Sequence, residues 1–133
     1  MDSLEHQDRF MRVALRASAV MNTGAAILFT FPDSLGQFAG LPTPVPRIYS
    51  ILLAVFVMLF GIAYAWLARQ AVINRPLVAF SALGKASVFT VIFVFWILGD
   101  LQVRSAVAAS GDLIFAAIFG WWLARGSDRP KDR

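Results

Sequence analysis

The amino-acid sequence predicts an all-α polytopic membrane protein, an up-and-down bundle of four transmembrane helices in one domain spanning 1–133. Three observations predict it. Apolar runs of about 20 residues, the length a helix needs to cross a bilayer, lie at 13–31, 48–68, 77–98 and 103–123. All six prolines (Pro32, Pro42, Pro44, Pro46, Pro76, Pro130) fall between or beyond those runs, where a residue costly in a helix interior belongs. Finally, 59% of the 133 residues are hydrophobic, against about 45–50% in a soluble domain. A chain this short has too much surface for its volume to hide that excess within itself. The lipid bilayer is therefore the first expected partner. A water-soluble enzyme, a disordered chain and a secreted disulfide scaffold are excluded on the same ground.

The first span, 13–31, is preceded by a segment that also reads as helix. Asp2 followed by Glu5 resembles a capping box, and Arg9, Arg12 and Arg16 fall on one side of it. These arginines serve either as ordinary topology anchors or as a basic face for anionic lipid. Asp2, Glu5 and Asp8 among them, and no small-x-small site after Phe31, argue against a cleaved signal peptide. The connection 32–47 is the longest. Asp33 is placed to cap a short interfacial helix with Leu35, Phe38 and Ala39 on its apolar side. From Leu41 to Pro46 every second residue is proline, which favours a stiff extended strap. The strap is either a simple return or a lid over a cavity. Short turns join the second, third and fourth spans, so consecutive helices should be antiparallel neighbours. A tail, 124–133, follows.

Orientation follows from the basic residues. Arg9, Arg12, Arg16, Arg69, Arg75, Arg125, Arg129, Lys131 and Arg133 share one side of the bundle, against Arg47 and Arg104 on the other. Nine against two places both termini in the cytoplasm and the strap outside, and the expected location is the inner (plasma) membrane. Basic residues at the ends of apolar runs are a membrane pattern, so no nucleic-acid partner is expected despite the net charge of +4. The four tryptophans near span ends, Trp66, Trp96, Trp121 and Trp122, fit interfacial anchoring. The absence of cysteine, and a single histidine, His6, leave no thiolate metal site and no bis-histidine haem within one chain. No cofactor or metal is predicted.

Chemistry in such a bundle belongs where polarity is expensive. Counted at about 1.5 Å per residue, Asn22, Gly61, Lys85 and Asp112 lie roughly 10–16 Å from the same boundary, with Tyr64 one turn nearer to it. Small residues share their helix faces: Ser18, Ala19, Ala25 and Ala26 around Asn22; Ala54, Ala65 and Ala68 around Gly61; Ser81 and Gly84 beside Lys85; Ser105, Ala108, Ala109 and Ala116 beside Asp112. Small residues let membrane helices approach closely. The candidate ligand- or proton-binding residues are therefore Asp112, Lys85, Asn22 and Tyr64. A charge at the centre of a membrane helix costs about 2.5–3.5 kcal/mol, so Lys85 and Asp112, opposite in sign and similar in depth, are expected to pair. Three readings compete: a bridge that fixes helix register, a proton- or ligand-handling site, and no meeting at all. Asn22 donates either to Asp112 or to a ligand, or makes a plain interhelical hydrogen bond. Tyr64 is an interface anchor or a phenol with a chemical role. Asp100 and Arg104 form an exposed pair. Ala106-x-x-x-Ser110 and Ala116-x-x-x-Gly120 serve packing or self-association.

Asn22-Thr-Gly24, Phe31-Pro32, Gly40-Leu41-Pro42, Gly61, Gly84-Lys85 and Gly111-Asp112 together resemble the small DoxX-like four-helix membrane proteins. The resemblance implies an up-and-down bundle in the inner membrane, and some relatives are linked to quinone-dependent or other redox systems. The second span here has no acidic residue, unlike the usual pattern, and no cofactor residue carries over. Small multidrug exporters, also of four helices, need a first-span glutamate that 13–31 does not contain.

The leading functional expectation is a non-enzymatic one. The chain would be an accessory or assembly subunit of a larger membrane complex, or a binder of a small apolar ligand. The alternative is a homo-oligomeric proton-coupled transporter or pore using Asp112. A membrane-embedded enzyme acting on a lipid-soluble substrate, with Asp112 as acid or base, comes third.

Overall fold

The computed structural model describes residues 2–125. Four long helices follow one another: α1 (Asp2–Thr30), α2 (Arg47–Leu67), α3 (Arg75–Ile97) and α4 (Val103–Arg125), with one wide turn of helix at Pro32–Gly36. Each of the four is long and apolar enough to cross a membrane. The chain is thus an all-α four-helix bundle and a multi-pass membrane protein. The start of α1 and the end of α4 lie at one end of the bundle, here the terminal end, and the 32–46 segment lies at the opposite, strap end.

The boundaries have local causes. Pro32 stops α1, because its nitrogen carries no proton to donate. Asn74 caps α3, its Oδ1 accepting from the Leu77 N–H at 3.0 Å, with Pro76 in the first turn where its missing N–H is harmless. The same helix ends in a Schellman motif. Gly99 takes φ +87°, its N–H donates to Trp96 O and the Asp100 N–H to Phe95 O, at 3.0 and 2.9 Å. The polar start of α1 is continuous with its apolar span, so this helix begins eleven residues before the predicted boundary at 13, as the helical reading of that segment expected. The other three spans agree with expectation to within two residues at each end.

The expected helix after Pro32 is a single wide turn, and Asp33 does not cap it. Phe31 occupies the cap position, without a side-chain hydrogen bond. Leu35 and Phe38 are exposed on the outside of the bundle, and Ala39 is half-buried. The proposed Asp2 capping box and the tail residues Arg129, Lys131 and Arg133 concern side chains or positions outside the described residues.

The bundle consists of two helical hairpins. α1 packs along α2 and α3 along α4, and the hairpins meet mainly through α1 and α4. Gly61 permits the first of these contacts, since a Cβ there would lie 3.3 Å from Asn22 Cβ and 3.4 Å from Ala19 O. The core is unevenly distributed. Met11, Leu15, Leu67, Val78, Phe119 and Trp122 are buried in one cluster that fills the terminal half. The strap half has no comparable core, and α3 from Val91 to Leu98 is largely exposed.

Two arginines fasten the terminal end. Arg12 donates to the carbonyls of Ala68, Gln70 and Ala71 at 2.9, 2.6 and 2.9 Å. These carbonyls belong to the C-cap of α2 and to the turn beyond it, so the guanidinium ties the α2–α3 turn to α1 and places a cation at the negative end of α2. Arg75 reaches a last-turn carbonyl of α4, donating to Leu123 O at 2.5 Å, and stacks over Trp122. Trp122 is not an interfacial anchor but a core residue, 3% exposed, whose indole donates to Asp8 at 3.1 Å.

At the strap end, Ser50 donates from its hydroxyl to Phe29 O. Gly40, at φ +82°, accepts from the Ser105 hydroxyl at 2.6 Å. Arg104 does not pair with Asp100. It donates instead to Gln102 Oε1, at 2.6 Å from Nη2 and 3.2 Å from Nε, because a partner two residues away on the same turn is closer to hand.

A polar floor beneath an apolar cavity

The side chains at the junction between the solid and the open half form one chain of hydrogen bonds. Lys85 Nζ, on α3, lies 2.7 Å from Asp112 Oδ1 on α4. It also donates to Asn22 Oδ1 on α1 at 3.2 Å. Asn22 Nδ2 donates in turn to the backbone carbonyl of Val57 on α2, at 3.1 Å. All four helices are joined by these three bonds. Lys85 is 3% exposed, and its ammonium sits 5.2 Å from the Tyr64 ring and 5.4 Å from the Phe115 ring. A cation this enclosed is tolerable only because a carboxylate, an amide oxygen and two aromatic faces surround it.

Lys85 and Asp112 therefore meet, and the reading in which they do not is set aside. Asn22 does not donate to Asp112; its amide nitrogen faces Val57 and its oxygen receives Lys85. Tyr64 is not an interface anchor. It is 3% exposed within the core, with its ring 6.0 Å from Phe119 and 6.3 Å from Phe60. All four candidate residues thus belong to one cluster.

Above this floor lies a cavity of about 540 Å³, lined by all four helices and by Ala39 and Leu41 of the strap. Its size is within the range of ligand sites, about 300–1,000 Å³. Its walls are aliphatic and aromatic: Leu28, Phe29, Leu53, Phe56, Val88 and Ile92 are among them. Leu53, Phe56 and Val88 are also 44%, 58% and 48% exposed, so the cavity is open on its α2–α3 side. Nearer the terminal end that side is closed, where the Phe60 and Phe80 rings stack at 6.3 Å. The strap roofs the cavity through the Gly40–Ser105 hydrogen bond. Outside it, a second, polar cleft of about 650 Å³ lies between strap and α3–α4 turn.

The role of two residues escaped sequence reasoning. Gly24 and Gly84 line the cavity, and a Cβ on either would meet nothing within 4 Å. These glycines make room rather than helix contact, unlike Gly61 and Gly111, whose added Cβ would meet Asn22 and Met21. Gly120 likewise faces open space. A small residue facing a neighbour and one facing a void look alike in a sequence, so no signal separated them.

The fold and this arrangement define a small membrane bundle with an internal, laterally open cavity over a buried ion pair. Comparison of the chain with protein-family models, curated proteins and solved structures gives no match.

Proposed function

We propose that this protein is a non-enzymatic binder of a small lipid-soluble molecule, acting alone or as an accessory subunit of a larger membrane complex. The observation that carries the proposal is the cavity itself. It is apolar, opens sideways between α2 and α3, and ends on the bundle's buried polar chain. An apolar molecule dissolved in the bilayer can enter it without crossing water. The polar floor supplies the few directed groups that orient a ligand in an otherwise greasy site. The one-sided distribution of Lys and Arg supports placing both termini in the cytoplasm, which makes the opening face the outer leaflet of the inner membrane. The likeness to DoxX-like bundles is part of the same proposal and rests on topology and the short motifs quoted above.

The test is native mass spectrometry of the protein released from mild detergent. Wild type is expected to carry a bound small amphiphile. Gly84→Leu, which projects a side chain into the void without touching the ion pair, is expected to lose it while keeping the helical circular dichroism of the wild type. Equal retention by both proteins overturns the proposal.

A further inference from the structure

Five side chains with polar atoms line the cavity: Asn22, Tyr64, Lys85, Ser105 and Asp112. Three of them are already engaged, and Tyr64 is almost wholly buried. Lys85 and Tyr64 are each 3% exposed, Ser105 4% and Asn22 8%. The Ser105 hydroxyl donates to Gly40 O, Asn22 joins Lys85 to Val57, and Lys85 is surrounded by two acceptors and two rings. Asp112 differs. Its side chain is 20% exposed, and the ion pair engages Oδ1 only. Among the described residues nothing donates to Oδ2. The polar atom that the cavity presents to an occupant is thus a carboxylate oxygen, an acceptor without a proton of its own.

The charge at this point is already balanced. Lys85 lies 2.7 Å from Asp112, so the floor as a whole is neutral. A cationic head entering beside Asp112 would approach the Lys85 ammonium, and an anionic head would face the carboxylate. Either would also bring an uncompensated charge into an apolar site. A head with acceptors only, such as an ester or ketone, would set oxygen against oxygen. Building on the cavity reading above, we infer that the occupant carries an uncharged, hydrogen-bond-donating head of the hydroxyl class, held by Asp112 Oδ2, on an apolar body. The body is limited in length. From Asp112 to Ser105 at the roof is seven residues of helix, roughly 10 Å, and any longer tail must leave between α2 and α3.

Four probes with matched chains separate the alternatives: decanol, methyl decanoate, decanoate and decylammonium, each titrated against the full chain in nanodiscs, with thermal unfolding as readout. Decanol is expected to raise the unfolding temperature saturably. The other three are expected to half-saturate at concentrations about tenfold higher or more, the difference one hydrogen bond to a charged group makes. Binding of the ester, the carboxylate or the ammonium as tight as that of decanol overturns the hydroxyl assignment. If all four bind equally and Gly84→Leu abolishes all four, the cavity reading stands and the head assignment falls. If none binds, both fall. Should Gly84→Leu not fold, Gly24→Leu fills the same void from α1. Dioleoylglycerol in the nanodisc distinguishes the source of the hydroxyl. Stabilisation by it at mole fractions where decanol is inert assigns the site to a bilayer lipid; the reverse assigns it to a free amphiphile. Both results support the hydroxyl class.

Discussion

Breaking the Lys85–Asp112 pair from either side should give unequal losses that do not add. Asp112→Leu leaves the Lys85 ammonium, 3% exposed, with Asn22 Oδ1 as its one remaining oxygen partner. Removing one partner of a buried pair costs about 3–5 kcal/mol, and this variant belongs at the upper end. Lys85→Met leaves a carboxylate that is 20% exposed and can draw water or an occupant from the cavity, so its loss belongs at about 3 kcal/mol or below. The double variant removes both charges. It should return to within about 1 kcal/mol of wild type, since well-packed apolar replacements of buried pairs are often neutral. Reversible unfolding in mixed micelles, titrated with SDS, measures all four proteins in one double-mutant cycle. The reasoning is refuted if the two single losses simply add, within about 0.5 kcal/mol, because independent charges are not a pair.

Three further outcomes follow from the packing. Arg12→Ala removes three hydrogen bonds to the α2 C-cap and the turn beyond it and should cost about 1–3 kcal/mol, with faster amide exchange at 68–73. Arg12→Lys should recover little, because a point-like ammonium cannot fork across three carbonyls. Gly61→Val should destabilise by about 1–3 kcal/mol and loosen α1 from α2 in cross-linking across that seam, whereas Gly120→Ala, facing open space inside α4, should cost nothing and gain up to about 1 kcal/mol of helix propensity. Gly40→Ala sets a Cβ 2.9 Å from Ser105 Oγ at φ +82°; it should cost about 1–2 kcal/mol and raise hydrogen exchange over 36–46 without altering exchange at 11–19.

Much of the fold was legible because lipid enforces a simple code. A helix that must cross about 30 Å of hydrocarbon needs an unbroken apolar run, and prolines must lie outside it, so 48–68, 77–98 and 103–123 matched α2, α3 and α4 closely. The polar cluster was legible for a related reason. Lys85 and Asp112 have no tolerable place except against each other, and counting turns put them at one depth. Elsewhere the sequence was ambiguous. Arg12 and Arg75 looked like topology anchors because an arginine bound to a carbonyl and one bound to water occupy the same place in a charge pattern. Trp122 sat near a span end, as a belt residue would, yet turned inward to Asp8. The place of the void was hidden, since it is defined by what α2 and α3 fail to touch, and periodicity records only what each helix offers.

The hairpin organisation bears on how the chain enters the bilayer. Both members of the ion pair belong to the α3–α4 hairpin, 27 residues apart, while the α1–α2 hairpin contributes to the floor only uncharged groups, an amide, a backbone carbonyl and the Tyr64 ring. The ionised side chains can therefore cancel within one inserting unit, before the halves dock. Assembly then asks the translocation machinery to release a self-neutralised second hairpin beside a first that never carried buried charge, and docking adds the amide that locks the two together.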